Sequence, residues 1–251
     1  MRMEKQRLSQ IDNVSEHRDV YVISDIHGDF VGFIEVMHDI VDSGYDPKHD
    51  LLIQLGDMID GYGRSCEVVK IFRDLQNDYG SDRVIVLRGN HEEMLLNAIM
   101  APTYSQDFQL WWQQGGRATA TSYGAETFTE QGFLQTDTEL WDDADWFGSL
   151  PLCYETDTHL FVHAGLNPFK SREDQSSEDI LWIREPFLSL DYNFGKIVVA
   201  GHTALPAPLV KTNTILMDTR YRGRGYISGL KIASDGSLTF FKSEETKEVL
   251  P

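Results

Sequence analysis

Five short apolar runs, spread between residues 19 and 200, each break off into side chains that bind metal ions. Asp19–Ser24 leads into Asp25-Ile26-His27, Asp50–Leu55 into Gly56-Asp57-Met58-Ile59-Asp60, and Arg83–Leu87 into Arg88-Gly89-Asn90-His91-Glu92. Thr158–Val162 leads into His163-Ala164-Gly165, and Lys196–Ala200 into Gly201-His202-Thr203. Short apolar runs bounded by turn residues predict buried strands. Between the first three runs, residues 30–43 carry Phe30, Phe33, Ile34, Met37, Ile40 and Val41 at helical spacing, closed by Gly44. Residues 65–79 do the same with Val68, Val69, Phe72 and Leu75. Strand, helix, strand, helix, strand predicts a largely parallel sheet with helical crossovers, and such sheets hold ligands beyond the carboxyl ends of their strands. The polar clusters stand at those ends.

The remainder of the chain is read as parts of one domain spanning residues 1–251. Residues 1–19 are polar and expected at the periphery. Residues 105–148 hold Trp111, Trp112, Trp141 and Trp146, a Gly115-Gly116 break and the acidic run Asp142, Asp143, Asp145; they predict a helical insert over one sheet edge, walling the cleft. Thr214–Met217, Gly225–Ile232 and Ser237–Lys242, the last two joined by an Asp235-Gly236 turn, predict a second, antiparallel sheet packed on the first.

A net charge of −18, from 22 Lys and Arg against 40 Asp and Glu, argues against an extended nucleic-acid interface and tolerates a basic peptide better than a polyanion. A small phosphorylated substrate stays compatible, because the field beside bound divalent ions is positive. Cys66 and Cys153 form no zinc-type pair and are expected as buried thiols in a reducing compartment, a disulfide being the alternative. The first residues lack an apolar signal core, and no run is long enough to span a membrane, so a soluble, cytoplasmic protein with no membrane contact is expected.

The clusters supply Asp25, His27, Asp57, Asn90, His163 and His202, ligands enough for two divalent ions sharing one carboxylate. Two ions about 3.5–4 Å apart hydrolyse phosphate esters by clamping the attacking and leaving oxygens. Asp25 and His27 occupy alternate positions and face one ion; Asp57 is the natural bridge; Asn90, His163 and His202 complete the second ion's shell. This mixed oxygen and nitrogen set suits Mn, Fe or Zn. His91, directly after a ligand, stands where a general acid for the leaving group belongs, and Asp60 is the carboxylate to orient it. Glu92 opens the next helix and is read as a brace for the loop.

These blocks resemble the calcineurin-like metallophosphoesterases, and among them the compact bacterial and phage form of the metal-dependent Ser/Thr protein phosphatases. The family's GDxHG, GDxxDRG, GNHE, HxG and GHT read here as Ser24-Asp25-Ile26-His27-Gly28, Gly56-Asp57-Met58-Ile59-Asp60-Gly61, Gly89-Asn90-His91-Glu92, His163-Ala164-Gly165 and Gly201-His202-Thr203. Gly115-Gly116-Arg117 through Gly124 and Leu181-Trp182-Ile183-Arg184-Glu185 also fit the bacterial branch. The resemblance spans roughly residues 20–230. It implies an α/β fold of two mixed β-sheets sandwiched between helices in four α/β/β/α layers, with two divalent ions, commonly Mn, at the sheet edge. It further implies that Asp25, His27 and Asp57 hold one ion and Asp57, Asn90, His163 and His202 the other. His91 with Asp60 would then donate the proton, Arg184 would grip the phosphate, and hydrolysis would proceed by a metal-bound hydroxide without a phosphoenzyme. For Arg184 the alternative is a surface arginine paired with Glu185 or Glu178.

Two departures bear on the substrate. Gly61 stands where the family has the arginine of DRG, with Arg64 or Arg88 as replacements. The family's Asp-Thr-Gly becomes Asp218-Thr219-Arg220, adding Arg220, Arg222 and Arg224, which either offset the acidic surface or meet a polyphosphate. The leading expectation is a Ser/Thr protein phosphatase acting on a phosphorylated protein or peptide. The alternatives are a dinucleoside polyphosphate hydrolase acting on a small phosphorylated nucleotide such as diadenosine tetraphosphate, and a catalytically weakened scaffold.

Overall fold

Side chains on successive strand residues point to opposite faces, and in this chain both faces of each central strand are apolar. In β1 (Val20–Ile23), Tyr21 and Ile23 enter one core and Val22 another. In β7 (His159–Val162), Phe161 shares the core of Val22, while Leu160 and Val162 enter a third. β8 (Ile197–Ala200) repeats this with Val199 against Val198 and Ala200. A sheet apolar on both faces must be covered twice, and the result is two sheets face to face with helices outside each. The computed structural model describes residues 18–125, 128–129, 132–133, 138–220 and 225–245.

The first sheet has the order β12 (Leu238–Lys242), β11 (Ser228–Ile232), β1, β2 (Leu51–Gln54), β3 (Val84–Val86). β1, β2 and β3 run parallel, linked by α1 (Phe30–Asp42) and α2 (Ser65–Tyr79), whose buried faces carry Phe33, Val36, Ile40, Val68, Val69 and Phe72. The second sheet has the order β6-β7-β8-β10-β9, with β7, β8 and β10 (Thr214–Leu216) parallel, and β6 (Cys153–Glu155) and β9 (Leu209–Val210) antiparallel at its edges. Between the strands of the two sheets come α3 (Asn90–Ile99), α4 (Gln106–Trp111), α5 (Arg117–Ser122), a short hairpin of β4 (Phe128–Thr129) and β5 (Gly132–Phe133), and α6 (Thr138–Ser149). α7 (Ser177–Trp182) packs Ile180 into the outer core of the second sheet.

The four-layer α/β arrangement is the expected one; the assignment of the tail is not. β11 (Ser228–Ile232) pairs antiparallel with β1, and β12 (Leu238–Lys242) with β11, so these strands complete the first sheet rather than forming a second. The second sheet comes from residues 153–216 and is parallel at its centre. Local patterning marks a strand but not its partner: Val20 pairs with Ile232 from the far end of the chain. Cys153 is buried as expected, whereas Cys66, in the first turn of α2, is half-buried with its thiol 3.6 Å from Glu139. No disulfide joins Cys66 and Cys153. No helix among the described residues is long and apolar enough to cross a membrane. The first 17 residues, part of the expected insert, and Arg222 and Arg224 lie outside the described residues.

Candidate metal centre

The carboxyl ends of β1, β2 and β3 meet those of β7 and β8 along one edge of the sandwich. Backbone bonds sew the loops there: the amides of Ile26 and His27 donate to Asp57 O, Gly28 N to Met58 O, and Gly201 N to His163 O. Among the described residues, the non-glycine positions with left-handed φ are His27 (53°), Asp57 (58°), Asp60 (68°) and His202 (62°). Each such conformation costs on the order of 1–3 kcal/mol and persists where surrounding bonds overdetermine it. Strain thus gathers on the strand-end residues singled out from the sequence. Gly89 must be glycine for a separate reason, since an added Cβ would collide with Asp57 Oδ1 and Asp57 N.

Asp57 sits centrally. Its Oδ2 lies 3.4 Å from His163 Nε2, 3.8 Å from His27 Nε2 and 3.9 Å from His91 Nε2, and its Oδ1 accepts from His91 N at 3.0 Å. Donor atoms of His27, Asp57 and His91 cluster within 4.8 Å, as do those of Asp57, His163 and His202. Asn90 Oδ1 is 2.8 Å from His163 Nε2 and 2.8 Å from His202 Nδ1. Asp25 borders this set: Oδ2 accepts from Ser24 Oγ at 2.6 Å, and Oδ1 from His202 N at 3.0 Å. The structure therefore brings all six sequence-predicted ligands to one place.

Two histidine rings are oriented from behind. His163 Nδ1 faces Leu55 O at 2.9 Å and His27 Nδ1 faces Ile59 O at 3.2 Å, which leaves each Nε2 towards Asp57. Metal-binding imidazoles are held this way, with the second nitrogen on a carbonyl. Burial opposes charge on His163, but the Asp57 carboxylate overrules it and pulls the ring up to about 9. Burial and then His163 push His202 down to about 3, and its Nε2 is buried without a partner among the described residues. A buried orphan nitrogen on His202, beside the Asp57 and Asp25 carboxylates and an imidazole whose proton Asp57 holds, describes a place shaped for cations. The donor set fits divalent ions of the Mn, Fe and Zn type.

Metal uptake must displace the proton that His163 holds, so affinity for Mn is expected to fall about tenfold per pH unit below pH 9 and to flatten above it. Isothermal titration of metal-free protein at pH 6, 7 and 8 measures this, together with the proton released.

Glu92 braces the centre. Oε2 accepts from Asp57 N at 2.9 Å and Gly89 N at 2.8 Å, and Oε1 from Met58 N at 2.8 Å. Burial and the Asp57 charge push its carboxyl up to about 7, against the pull of those amides. Glu92→Gln turns an acceptor into a donor facing an N–H and is expected to destabilise the fold by about 1–3 kcal/mol, read as a lower Tm.

His91 Nδ1 is 2.9 Å from Asp60 Oδ2, the imidazole carrying the Nε2 that points back toward Asp57. Burial opposes its charge, yet Asp57 and the Asp60 bond raise it to about 9.

The arginines divide differently. Arg184 is exposed, and its charge helps depress His202; it forms no ion pair with Glu178 or Glu185 among the described residues. Arg64 Nε bonds Glu67 Oε1 at 2.9 Å while its guanidinium lies 4.0 Å over the Phe30 ring. Arg88 is buried with Nη1 3.4 Å from Glu93. Arg220 is buried, paired with Asp29 and 4.7 Å over the Tyr62 ring, so it does not offset the acidic surface as read from the sequence. Sequence reasoning missed Ser24 as a donor to Asp25, and missed Trp111 and Thr119, which reach Asp60 from the segment between α3 and α6.

Fold and site together define a dinuclear-metal phosphoesterase. The family model for calcineurin-like phosphoesterases matches residues 19–237, and the chain belongs to that family. It is 28% identical over 229 residues to serine/threonine-protein phosphatase 1 of Salmonella typhimurium, covering 86% of this chain and 93% of that protein. It is 28% identical over 152 residues to the symmetrical bis(5'-nucleosyl)-tetraphosphatase of Aromatoleum aromaticum, covering 59% of this chain and 45% of that protein. A protein serine/threonine phosphatase from Saccharomyces cerevisiae superposes with a TM-score of 0.64 at 16% identity, covering 98% of this chain and 86% of that one.

Proposed function

We propose that the protein is a Mn-dependent serine/threonine protein phosphatase acting on phosphomonoesters of protein or peptide. Asp25, His27 and Asp57 would hold one ion, and Asp57, Asn90, His163 and His202 the other. Bound there, two such ions would supply charge neutralisation for the phosphoryl group and an activated water. His91 delivers the leaving oxygen's proton from Nε2, Asp60 fixes its other nitrogen, and exposed Arg184 offers a two-pronged donor to the phosphate. The observation that carries the reading is the His91–Asp60 pair at 2.9 Å beside two ligand clusters that share Asp57. An alkoxide leaving group needs that proton. Cys66 and Cys153, not joined by a disulfide, fit a cytoplasmic setting.

Three features favour a peptide over a dinucleoside polyphosphate. Sequence similarity covers nearly the whole of the Salmonella phosphatase but less than half of the Aromatoleum tetraphosphatase. The chain is strongly acidic, at −18. Arg220, the described member of the tail arginines, is committed to Asp29. The test compares Mn-loaded protein on a phosphoserine or phosphothreonine peptide and on diadenosine tetraphosphate. Preference for the peptide is expected; preference for the dinucleotide overturns the assignment in favour of nucleotide hydrolysis.

A further inference from the structure

Side chains from the segment between α3 and α6 reach the centre at Asp60. Asp60 is fully buried, and its carboxylate meets donors from three directions. Oδ1 accepts from Trp111 Nε1 at 3.1 Å and from Thr119 Oγ1 at 2.7 Å, leaving Oδ2 to His91 Nδ1 at 2.9 Å. The hydroxyl direction at Thr119 follows from its partner: a carboxylate oxygen can only accept, so the Thr119 proton goes to Asp60 Oδ1. The hydroxyl oxygen in turn accepts from Asp60 N at 2.9 Å and lies 3.1 Å from Ser65 Oγ. An indole nitrogen can only donate.

Trp111 and Thr119 reach one oxygen although they are eight residues apart. On an unbroken α-helix such residues stand about 80° apart around the axis. Here α4 and α5 are separated by a wide, π-type turn over Trp112–Gly116, in which Gly115 leaves helical geometry at φ 108°. Wide turns of this kind recur at functional sites. The turn lies directly on the loop that carries Asp60: Gly61 N points to Gly115 O at 3.4 Å, and a Cβ on Gly115 would come within 2.6 Å of Gly61 N.

We propose that Trp111 and Thr119 are positioning residues that lock the Asp60 carboxylate so that one oxygen alone faces His91. They thereby fix the imidazole with its Nδ1 proton held by Asp60 and the transferable proton on Nε2, turned to the cleft. The segment between α3 and α6 is then part of the proton-delivery apparatus, not only a wall. This rests on His91 as the proton donor, and the test keeps the two claims apart.

Trp111→Phe, Thr119→Val and Thr119→Ser are compared with the parent on phenyl phosphate, which needs a proton on its leaving oxygen, and on 2,4-dinitrophenyl phosphate, which does not. The expected result for Phe and Val is a fall in kcat of about tenfold or more on phenyl phosphate, within the range general acids contribute. KM, metal content and dinitrophenyl phosphate turnover should stay near parental values, and Thr119→Ser should restore the loss. Nitrogen-15 spectra of the metal-free proteins give a readout independent of turnover: the His91 Nδ1–H signal should be sharp in the parent and in Thr119→Ser, and displaced or broadened in Thr119→Val. Equal losses on both esters, or unchanged kinetics with unchanged His91 signals, overturn the proposal. A parent that hydrolyses neither ester refutes the phosphomonoesterase reading instead, and the nitrogen-15 comparison then decides the positioning role alone.

Discussion

Asp57→Asn is expected to lower phosphomonoester turnover by about a thousandfold or more and to leave the chain unable to hold two ions together. Asp57 is the acidic group common to both ligand clusters, with Oδ2 within 3.4–3.9 Å of three imidazole nitrogens. Asparagine is nearly isosteric and tolerates the left-handed backbone at this position, so the loop should survive while the bridging charge is lost. A metal acting as Lewis acid contributes several kcal/mol, and about 4 kcal/mol is a thousandfold in rate. The variant has a second signature. Asp57 raises His91 and His163, so both rings should titrate lower in metal-free Asp57→Asn than the value of about 9 in the parent. Elemental analysis of dialysed protein and histidine titration by NMR check the two effects separately.

His91→Asn is expected to reduce kcat on a phosphoserine peptide by about a hundredfold to ten-thousandfold, the span attributed to general acid catalysis, while two ions remain bound. The geometry makes this variant informative. His91 Nε2 is 3.9 Å from Asp57, and His91 clusters with His27 and Asp57 closely enough to serve as a ligand itself. Its Nδ1, however, is taken by Asp60, and its backbone amide already donates to Asp57. If the residue acts as an acid, metal content is unchanged and the loss shrinks on esters with good leaving groups. If it is a ligand, one ion is lost and every ester suffers alike.

Much of the fold was legible because burial leaves a local trace. Val68, Val69 and Phe72 line one face of α2, which runs over the expected residues 65–79. The strand positions were legible for the same reason, and with them the polar residues at their carboxyl ends. What local patterning could not carry is pairing across the chain. The tail strands were recognised as strands, but their place beside β1 depends on partners some two hundred residues away. The same limit hid the surroundings of the site. Trp111 and Thr119 meet Asp60 across 51 and 59 residues, and nothing in a tryptophan or threonine marks it as a partner for a distant carboxylate. The Gly115-Gly116 break was visible, yet its reason, close approach to Gly61, appears only in three dimensions. Arg220 illustrates the reverse error: three nearby arginines read as a surface cluster, whereas Asp29, the cap of α1, draws Arg220 into the interior.

The most direct test of the centre is the electron paramagnetic resonance spectrum of Mn-reconstituted protein as metal is added. Two ions sharing the Asp57 carboxylate should give an exchange-coupled Mn pair that saturates at two equivalents and disappears in Asp57→Asn. An uncoupled Mn signal saturating at one equivalent would contradict a dinuclear centre.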